Sequence, residues 1–420
     1  MLIEILQDQK FERDSYLSNT YIPRDSLKKA KKNLTNKLIK IITGPRRAGK
    51  SVFAIEILKD TNFGYVNFDD ERLLNVDNDE LIKTIHEVYG DINFLLFDEI
   101  QNLAKWELFV NRLHRLGYNI FLTGSNSKLL SSEMATHLTG RYVPINIYTF
   151  SFNEFLKANN IEISGLKLST TEKGKILNQL SKYQTIGGYP EVVLEKVDYK
   201  NYLNVLFDSM ILKDIVKRYN VKYTQNLYTI AKLLASNYAS EFSYNKLKNF
   251  SEIGSVHTIK NYVSYLEEAY LFFYVNRFSF KPKEQLKYPS KIYLYDTGMA
   301  SALSLSFSKD LGKLMENRVA IELKRQQKEF YYYKDPDNID VDFVIKENNE
   351  VCELMQVSYD INNEKTKERE VKSLMKSAKK LNVKNLSIIT WDYESVENID
   401  NLEIKFVPLW KWLFLLQFNL

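Results

Sequence analysis

A chain of 420 residues has room for roughly two or three domains, and its 45% hydrophobic and 26% charged content excludes a disordered chain. One cysteine, Cys352, excludes an internal disulfide framework and a cysteine zinc site. The four histidines, His86, His114, His137 and His257, are too scattered for a metal cluster. A net charge of +5 over this length permits nucleic-acid binding without demanding it.

The first residues, Met1-Leu2-Ile3-Glu4-Ile5-Leu6-Gln7-Asp8, carry acids where a secretory signal has its basic region. The most apolar stretch, 407–418, is too short to span a bilayer and is interrupted by Lys411. The expectation is a cytoplasmic protein with no membrane partner, whose terminal helix packs on its own domain. Residues 1–36 read as an extension with a helix, a turn at Ile22-Pro23-Arg24-Asp25 and a basic helix bearing Lys28, Lys29, Lys31 and Lys32. Such a charge run is usually a solvated face; a nucleic-acid contact is the alternative.

Leu38 to Thr43 is a short, β-branched apolar run that breaks into Gly44-Pro45-Arg46-Arg47-Ala48-Gly49-Lys50-Ser51, after which Val52 opens a run with helical spacing. Strand, Gly-rich loop and helix in this order make a phosphate-binding loop. The glycines permit a tight turn, so backbone amides converge on phosphate at a helix N-terminus. Gly44 through Val52 are therefore the nucleotide-binding residues, with Lys50 reaching the β- and γ-phosphates and the Ser51 hydroxyl on Mg²⁺.

Residues 63–71 give the second strand and 79–89 a helix. Asn93-Phe94-Leu95-Leu96-Phe97-Asp98-Glu99 then delivers two adjacent carboxylates at a strand's C-terminal end, the edge where open α/β sheets place ligands. Asp98 suits the metal and Glu99 the activation of a water, which favours hydrolysis over transfer to a substrate hydroxyl. The helix at 106–116 and the strand at 119–122 lead to Thr123-Gly124-Ser125-Asn126, where Asn126 or Ser125 could stand between water and γ-phosphate. Alternating strands and helices predict a parallel sheet covered on both faces. Arg141, in Leu138-Thr139-Gly140-Arg141-Tyr142, suits an arginine finger, acting across a subunit boundary if the protein is an oligomer; a local surface ion pair is the alternative.

Together, Gly-Pro-Arg-Arg-Ala-Gly-Lys-Ser, Leu-Phe-Asp-Glu-Ile-Gln, Leu-Thr-Gly-Ser-Asn-Ser-Lys-Leu-Leu, Leu-Thr-Gly-Arg-Tyr and Thr149-Phe150-Ser151-Phe152-Asn153-Glu154-Phe155 resemble an archaeal and bacterial group of AAA-type ATPases. That group is related to the origin-recognition class and to signalling ATPases. The resemblance continues through Gly187-Gly188-Tyr189-Pro190-Glu191-Val192, Leu294-Tyr295-Asp296-Thr297-Gly298, Glu316-Asn317 and Val341-Asp342-Phe343-Val344. It implies a core at 37–150 using ATP with Mg²⁺, and a helical lid at 151–223. Lids of this class contribute a cation to the phosphates, and Lys213, Lys217 and Arg218 are the candidates.

Residues 224–301 read as three helices and a two-stranded wing, a winged helix. In its third helix Ile259, Val263, Leu266 and Tyr270 form the buried stripe. His257, Lys260, Asn261 and Ser264 then face outward, and Arg277, Lys281, Lys283 and Lys287 crowd the wing, as duplex DNA binding would need. A tri-helical spacer or protein contact is the plainer alternative.

The last domain, 302–420, is similar to restriction-endonuclease-like folds, with Glu316 on a helix, Asp342 on one strand and Gln356 and Ser358 on the next. Those folds place an acid and a lysine where Gln356 and Ser358 stand, so the site reads as degenerate, unless a lysine from elsewhere, such as Lys334, rebuilds it. The resulting expectation is an α/β protein with a P-loop AAA-type parallel sheet, a helical lid, a winged helix and a nuclease-like α/β domain. Its expected role is that of an Mg-dependent ATPase acting on double-stranded or branched DNA as a homo-oligomer. A nucleotide switch binding a protein partner, and an ATPase-coupled nuclease, are the alternatives.

Overall fold

Every residue of Ile39–Thr43 (β1) is buried, Lys40 included, as the β-branched residues around it suit a strand inside a covered parallel sheet. The structure, a computed structural model, describes residues 1–126, 140–163, 165–251, 253–285, 287–303, 310–337 and 339–416. Within 127–139, which lies outside them, fall His137, Leu138, Thr139 and the Ser-Lys-Leu-Leu end of the third family-like stretch. The chain packs as two compact units, Met1–Thr149 with Glu268–Tyr270, and Phe150–Glu267 with Leu271–Leu420.

In the first unit the chain runs through α1 (Leu2–Ser18), β1, α2 (Lys50–Leu58), β2 (Phe63–Asn67), α3 (Asn78–Tyr89), β3 (Phe94–Asp98), α4 (Trp106–Arg115), β4 (Asn119–Gly124) and β5 (Tyr142–Asn146). The five strands are parallel, in the order β2-β3-β4-β1-β5. In register, Ile42 lies beside Thr123, and β3 carries Asp98 to the same carboxyl edge. Helix α1 belongs to this unit. Gln9 bonds both the N–H and the carbonyl of Asn67 at 3.0 Å, and Arg13 reaches the Phe63 carbonyl at 2.5 Å while lying over the Phe63 and Tyr89 rings. Ile5 and Leu6 complete the seam from the buried side of the helix.

The second unit opens with α5 (Phe152–Ala158) and α6 (Thr170–Ile186), each started by a serine capping box. Then α7 (Tyr199–Ser209) runs on into a π-helical stretch, Met210–Val216. Lys213 lies on that stretch, and Lys217 and Arg218 on the single turn after it. Next come α8 (Thr224–Ser236), β6 (Ser240–Phe242), α9 (Tyr244–Ser251), α10 (Val256–Glu268), β7 (Phe272–Val275) and β8 (Ser290–Leu294). The sheet here has three strands, β6-β8-β7, all antiparallel. Strand β6 is an addition to the expected pair, too short to show a period of its own.

After α11 (Thr297–Leu303) and α12 (Leu311–Arg325) a six-stranded mixed sheet is built from β9 (Glu329–Lys334), β10 (Asp340–Glu347), β11 (Glu350–Ser358), β12 (Leu386–Thr390), β13 (Ser395–Ile399) and β14 (Leu402–Pro408). Its order is β13-β14-β12-β11-β10-β9, with α13 (Glu364–Leu381) crossing between the parallel strands β11 and β12. The terminal helix α14 (Leu409–Leu416) buries Leu409, Trp410, Leu413 and Phe414. Among the described residues no helix is long and apolar enough to cross a membrane.

A polar knot holds the second unit together. Arg318 of α12 is fully buried, lies 3.8 Å over the Tyr183 ring, donates to the Tyr183 hydroxyl at 2.8 Å and also bonds Thr297 Oγ1. Asp296 accepts from the Gly188 and Gly298 amides at 2.9 and 2.8 Å, and Asn317 brackets Leu294 through both its N–H and its carbonyl. A guanidinium and a carboxylate this deep are tolerable only because their hydrogen bonds are made. Gly187 is fixed by the same knot. It sits at φ 76° and ψ −163°, a region open essentially to glycine alone, and a Cβ there would lie 1.8 Å from Asp296 Oδ1. Gly187→Ala is expected to cost about 2–4 kcal/mol. Thermal or urea unfolding checks this, and a variant as stable as the parent would contradict it.

Candidate functional site

The loop between β1 and α2 has the backbone that its glycines require. A Cβ on Gly44 would fall 1.8 Å from the Ile147 carbonyl oxygen, and Gly49, at φ 86° and ψ 31°, caps α2 in the left-handed region. Arg47 also has positive φ, so the chain curls before entering the helix. A helix N-terminus that follows such a loop is the arrangement that receives anionic oxygens. Lys50 is buried, its ammonium donating to the Pro45 carbonyl at 3.0 Å. Arg24 supports the loop from beneath, bonding the Ala48 carbonyl at 2.9 Å and the Tyr148 carbonyl. The sequence marked Arg24 only as part of a turn, because its partners are distant along the chain.

Asp98 is 4% exposed and fully engaged. Its Oδ1 accepts from Ser51 Oγ at 2.9 Å and from the Thr123 hydroxyl, and its Oδ2 from Tyr65 at 3.3 Å. Burial first, and the neighbouring Glu99 charge second, push the Asp98 carboxyl up to about 6. The Thr123 and Ser51 hydrogen bonds and the Lys50 charge oppose that rise. A hydroxyl and a carboxylate in contact are hard oxygen donors suited to Mg²⁺. Tyr65 carries no motif, and only its alternation within β2 could have suggested that it faces Asp98.

Glu99 leaves the strand in a left-handed turn, φ 49°, with its N–H on Thr123 Oγ1 at 3.1 Å and its carboxylate receiving the Gln101 amide. Ser125 and Asn126 are both buried at the end of β4, and Ser125 Oγ has no hydrogen-bond partner among the described residues. Phosphate loop, paired acids and this polar pair therefore share one sheet edge. Arg141 does not. Its carbonyl accepts from Ile39 N–H at the amino end of β1, four residues before Thr43. At about 3.3 Å per residue that is roughly 13 Å from the loop of its own chain.

In the second unit His257, Lys260 and Ser264 are exposed on α10, as the helical stripe required, and Asn261 is half-buried with its amide near His257. Lys260 lies over Tyr244 and Arg277 over Tyr288, and Lys260, Tyr244 and Tyr288 line a groove of about 520 Å³ with Asn245, Lys287 and Asn276. Lys281 and Lys283 are exposed at the tip of the wing, Lys281 paired with Glu284 at 3.1 Å. The base of the wing is stitched to β9 by Phe278 N–H on the Tyr332 carbonyl at 2.7 Å.

Asp342, Gln356 and Ser358 are buried on β10 and β11, and Glu316 is half-buried on α12. The lysine that meets the acids is Lys291 of β8, which lies 3.0 Å from Glu316 and 3.2 Å from Asp342. Lys334, the lysine suggested by sequence, instead pairs with Glu241 at 3.0 Å. Among the described residues no group of three or more His, Cys, Asp or Glu could hold a metal.

Comparison with known proteins divides the chain in three. Residues 36–156 match the model of an AAA domain, and 177–310 and 311–412 match two domains of unknown function, DUF8612 and DUF4143. The Walker-type ATPase PABY2304 of Pyrococcus abyssi aligns with 13% identity and a TM-score of 0.43, over 66% of this chain and 94% of that one. An uncharacterized protein of Haemophilus influenzae is 31% identical over 89% of this chain and 94% of its own length. The uncharacterized protein MJ1544 of Methanocaldococcus jannaschii is 41% identical over 89% of this chain and 88% of its own. With its P-loop, its parallel five-stranded sheet and its match to an AAA domain, the chain belongs to the family of MJ1544 and carries an AAA-type P-loop ATPase domain at its N-terminal end.

Proposed function

We propose that the protein is an Mg²⁺-dependent ATPase that binds DNA and works as an oligomer. The observation that carries the hydrolytic reading is the contact of Ser51 with Asp98, 2.9 Å apart, beside Glu99 on the loop's edge of the sheet. The loop amides and Lys50 bind the phosphates, Lys50 exchanging the Pro45 carbonyl for a phosphate oxygen. Ser51 and Asp98 hold the metal ion, which when bound offsets the charge of the β- and γ-phosphates. Glu99 orients the water and takes its proton, while Asn126 or Ser125 positions that water against the γ-phosphate. Arg141, exposed at the opposite edge, serves as a finger for the nucleotide of a neighbouring copy, which supports an oligomer.

The DNA reading is supported by the order helix, strand, helix, helix, strand, strand over residues 224–294, the last two strands joined through a short helical turn at Pro282–Gln285, an order that matches a winged helix. Its third helix presents His257, Lys260 and Asn261, and the wing adds Lys281, Lys283 and Arg277. The aromatic and basic groove between them can grip phosphate and sugar. The attachment of the wing base to β9 favours a second reading, in which the same face binds a protein partner under nucleotide control.

Lys50→Ala is expected to abolish nucleotide binding in a fluorescent-nucleotide titration. Glu99→Gln is expected to bind normally but to turn over about 10²–10⁴-fold more slowly; normal turnover would contradict the role of Glu99. DNA affinity measured by anisotropy is expected to fall steeply with salt, the log–log slope being about −0.9 per phosphate neutralised, and Lys260→Ala is expected to flatten it by about one. A salt-independent signal, or none, would move the assignment to the protein-binding switch.

A further inference from the structure

Glu316 and Asp342 stand where a nuclease-like fold would place its metal, but the residues around them do not suit a resident divalent ion. Such an ion needs several oxygens at about 2.0–2.6 Å, drawn from both carboxylates. Lys291 Nζ is within hydrogen-bond reach of Glu316 Oε1 and Asp342 Oδ1 together, so an ammonium already bridges the pair. Two further donors crowd the pair: Tyr293 donates to the same Glu316 Oε1 at 2.7 Å, and Val357 N–H to the second Asp342 oxygen, Oδ2, at 3.0 Å. Gln356 accepts the Asp342 N–H at 3.2 Å and turns its amide nitrogen to Glu370 at 2.6 Å, so its oxygen points at backbone. The three charged side chains are 11–13% exposed.

We propose that Lys291 is a built-in counter-cation that takes the place of the metal, making the acid pair a cation site filled from within the chain. Its cation comes from a different element. Lys291 and Tyr293 alternate onto one face of β8, the strand shared between β6 and β7, and both reach Glu316. The site thereby seats the three-stranded sheet against α12 and β10. Two carboxylates this far from water are costly without a cation, so removing the ammonium must loosen that seat and leave the acid pair open to another cation. Without the ammonium the acid pair is thus a latent divalent-metal site, and with Lys291 in place it binds no metal.

The test is thermal unfolding of the nucleotide-free, full-length protein in EDTA and in rising Mn²⁺, with Mn²⁺ binding counted by calorimetry. The wild-type Tm and that of K291R are expected to be indifferent to Mn²⁺. K291A is expected to melt several degrees lower in EDTA and to regain roughly 2–4 °C or more as Mn²⁺ rises, with K291A/D342N regaining nothing. Binding of Mn²⁺ by the wild type that disappears in D342N would overturn the proposal. A K291A protein that stays unfolded or unresponsive with Mn²⁺ would overturn it too. Neither result bears on ATP turnover at the first unit, so the proposed hydrolase stands or falls separately.

Discussion

Asp98 is carried to the carboxyl edge of the parallel sheet by an apolar strand and is met there by the hydroxyls of Ser51, Thr123 and Tyr65. Each hydroxyl comes from a different element, so the carboxylate registers α2, β4 and β2 against β3. That constraint explains much of the first unit. The strand order places Ile42 beside Thr123, the curl at Gly44 and Gly49 returns Ser51 to the acid, and Glu99 follows directly after the strand in a left-handed turn. Burial raises the cost of the Asp98 charge, and a site that holds a carboxylate so far from water is one that gains from a cation.

The second unit rests on a different kind of constraint. The stretches around Gly187, Asp296, Asn317 and Arg318 are far apart in sequence but form one buried hydrogen-bond network. They looked like motifs, and their role in the fold is to join helices α6, α11 and α12 to the central strand of the small sheet. The Lys291–Glu316–Asp342 bridge extends that junction to the larger sheet. Charged groups are used here as fasteners, with every member's bonds made inside the unit.

The features legible in the sequence were those fixed by neighbours along the chain. The P-loop, the paired carboxylates at the end of β3, the strand–helix alternation and the buried stripe of α10 as far as Leu266 all follow from local spacing and lie where the pattern placed them, whereas Tyr270, the last of that stripe, falls beyond the end of the helix. What escaped were partnerships set by packing between distant segments. Arg24 beneath the loop, Tyr65 on Asp98, Gln9 and Arg13 fixing α1, and Lys291 between two acids have no spacing rule that announces them. Strand β6 was missed because three residues are too few to show a period. Arg141 is an intermediate case. Its residue type suggested a finger, but only the parallel register of β5 with β1 shows that its own chain's loop is out of reach.

That register makes the account most exposed at the subunit boundary. The decisive measurement is steady-state ATP turnover against protein concentration for the wild type, for Arg141→Ala, and for Arg141→Ala mixed with Lys50→Ala. The account predicts turnover per chain that climbs with concentration and collapses in Arg141→Ala. In the mixture it returns in part, because one variant keeps the loop and the other supplies the finger. Turnover that is independent of concentration and survives the loss of Arg141 would contradict a site completed by a second copy.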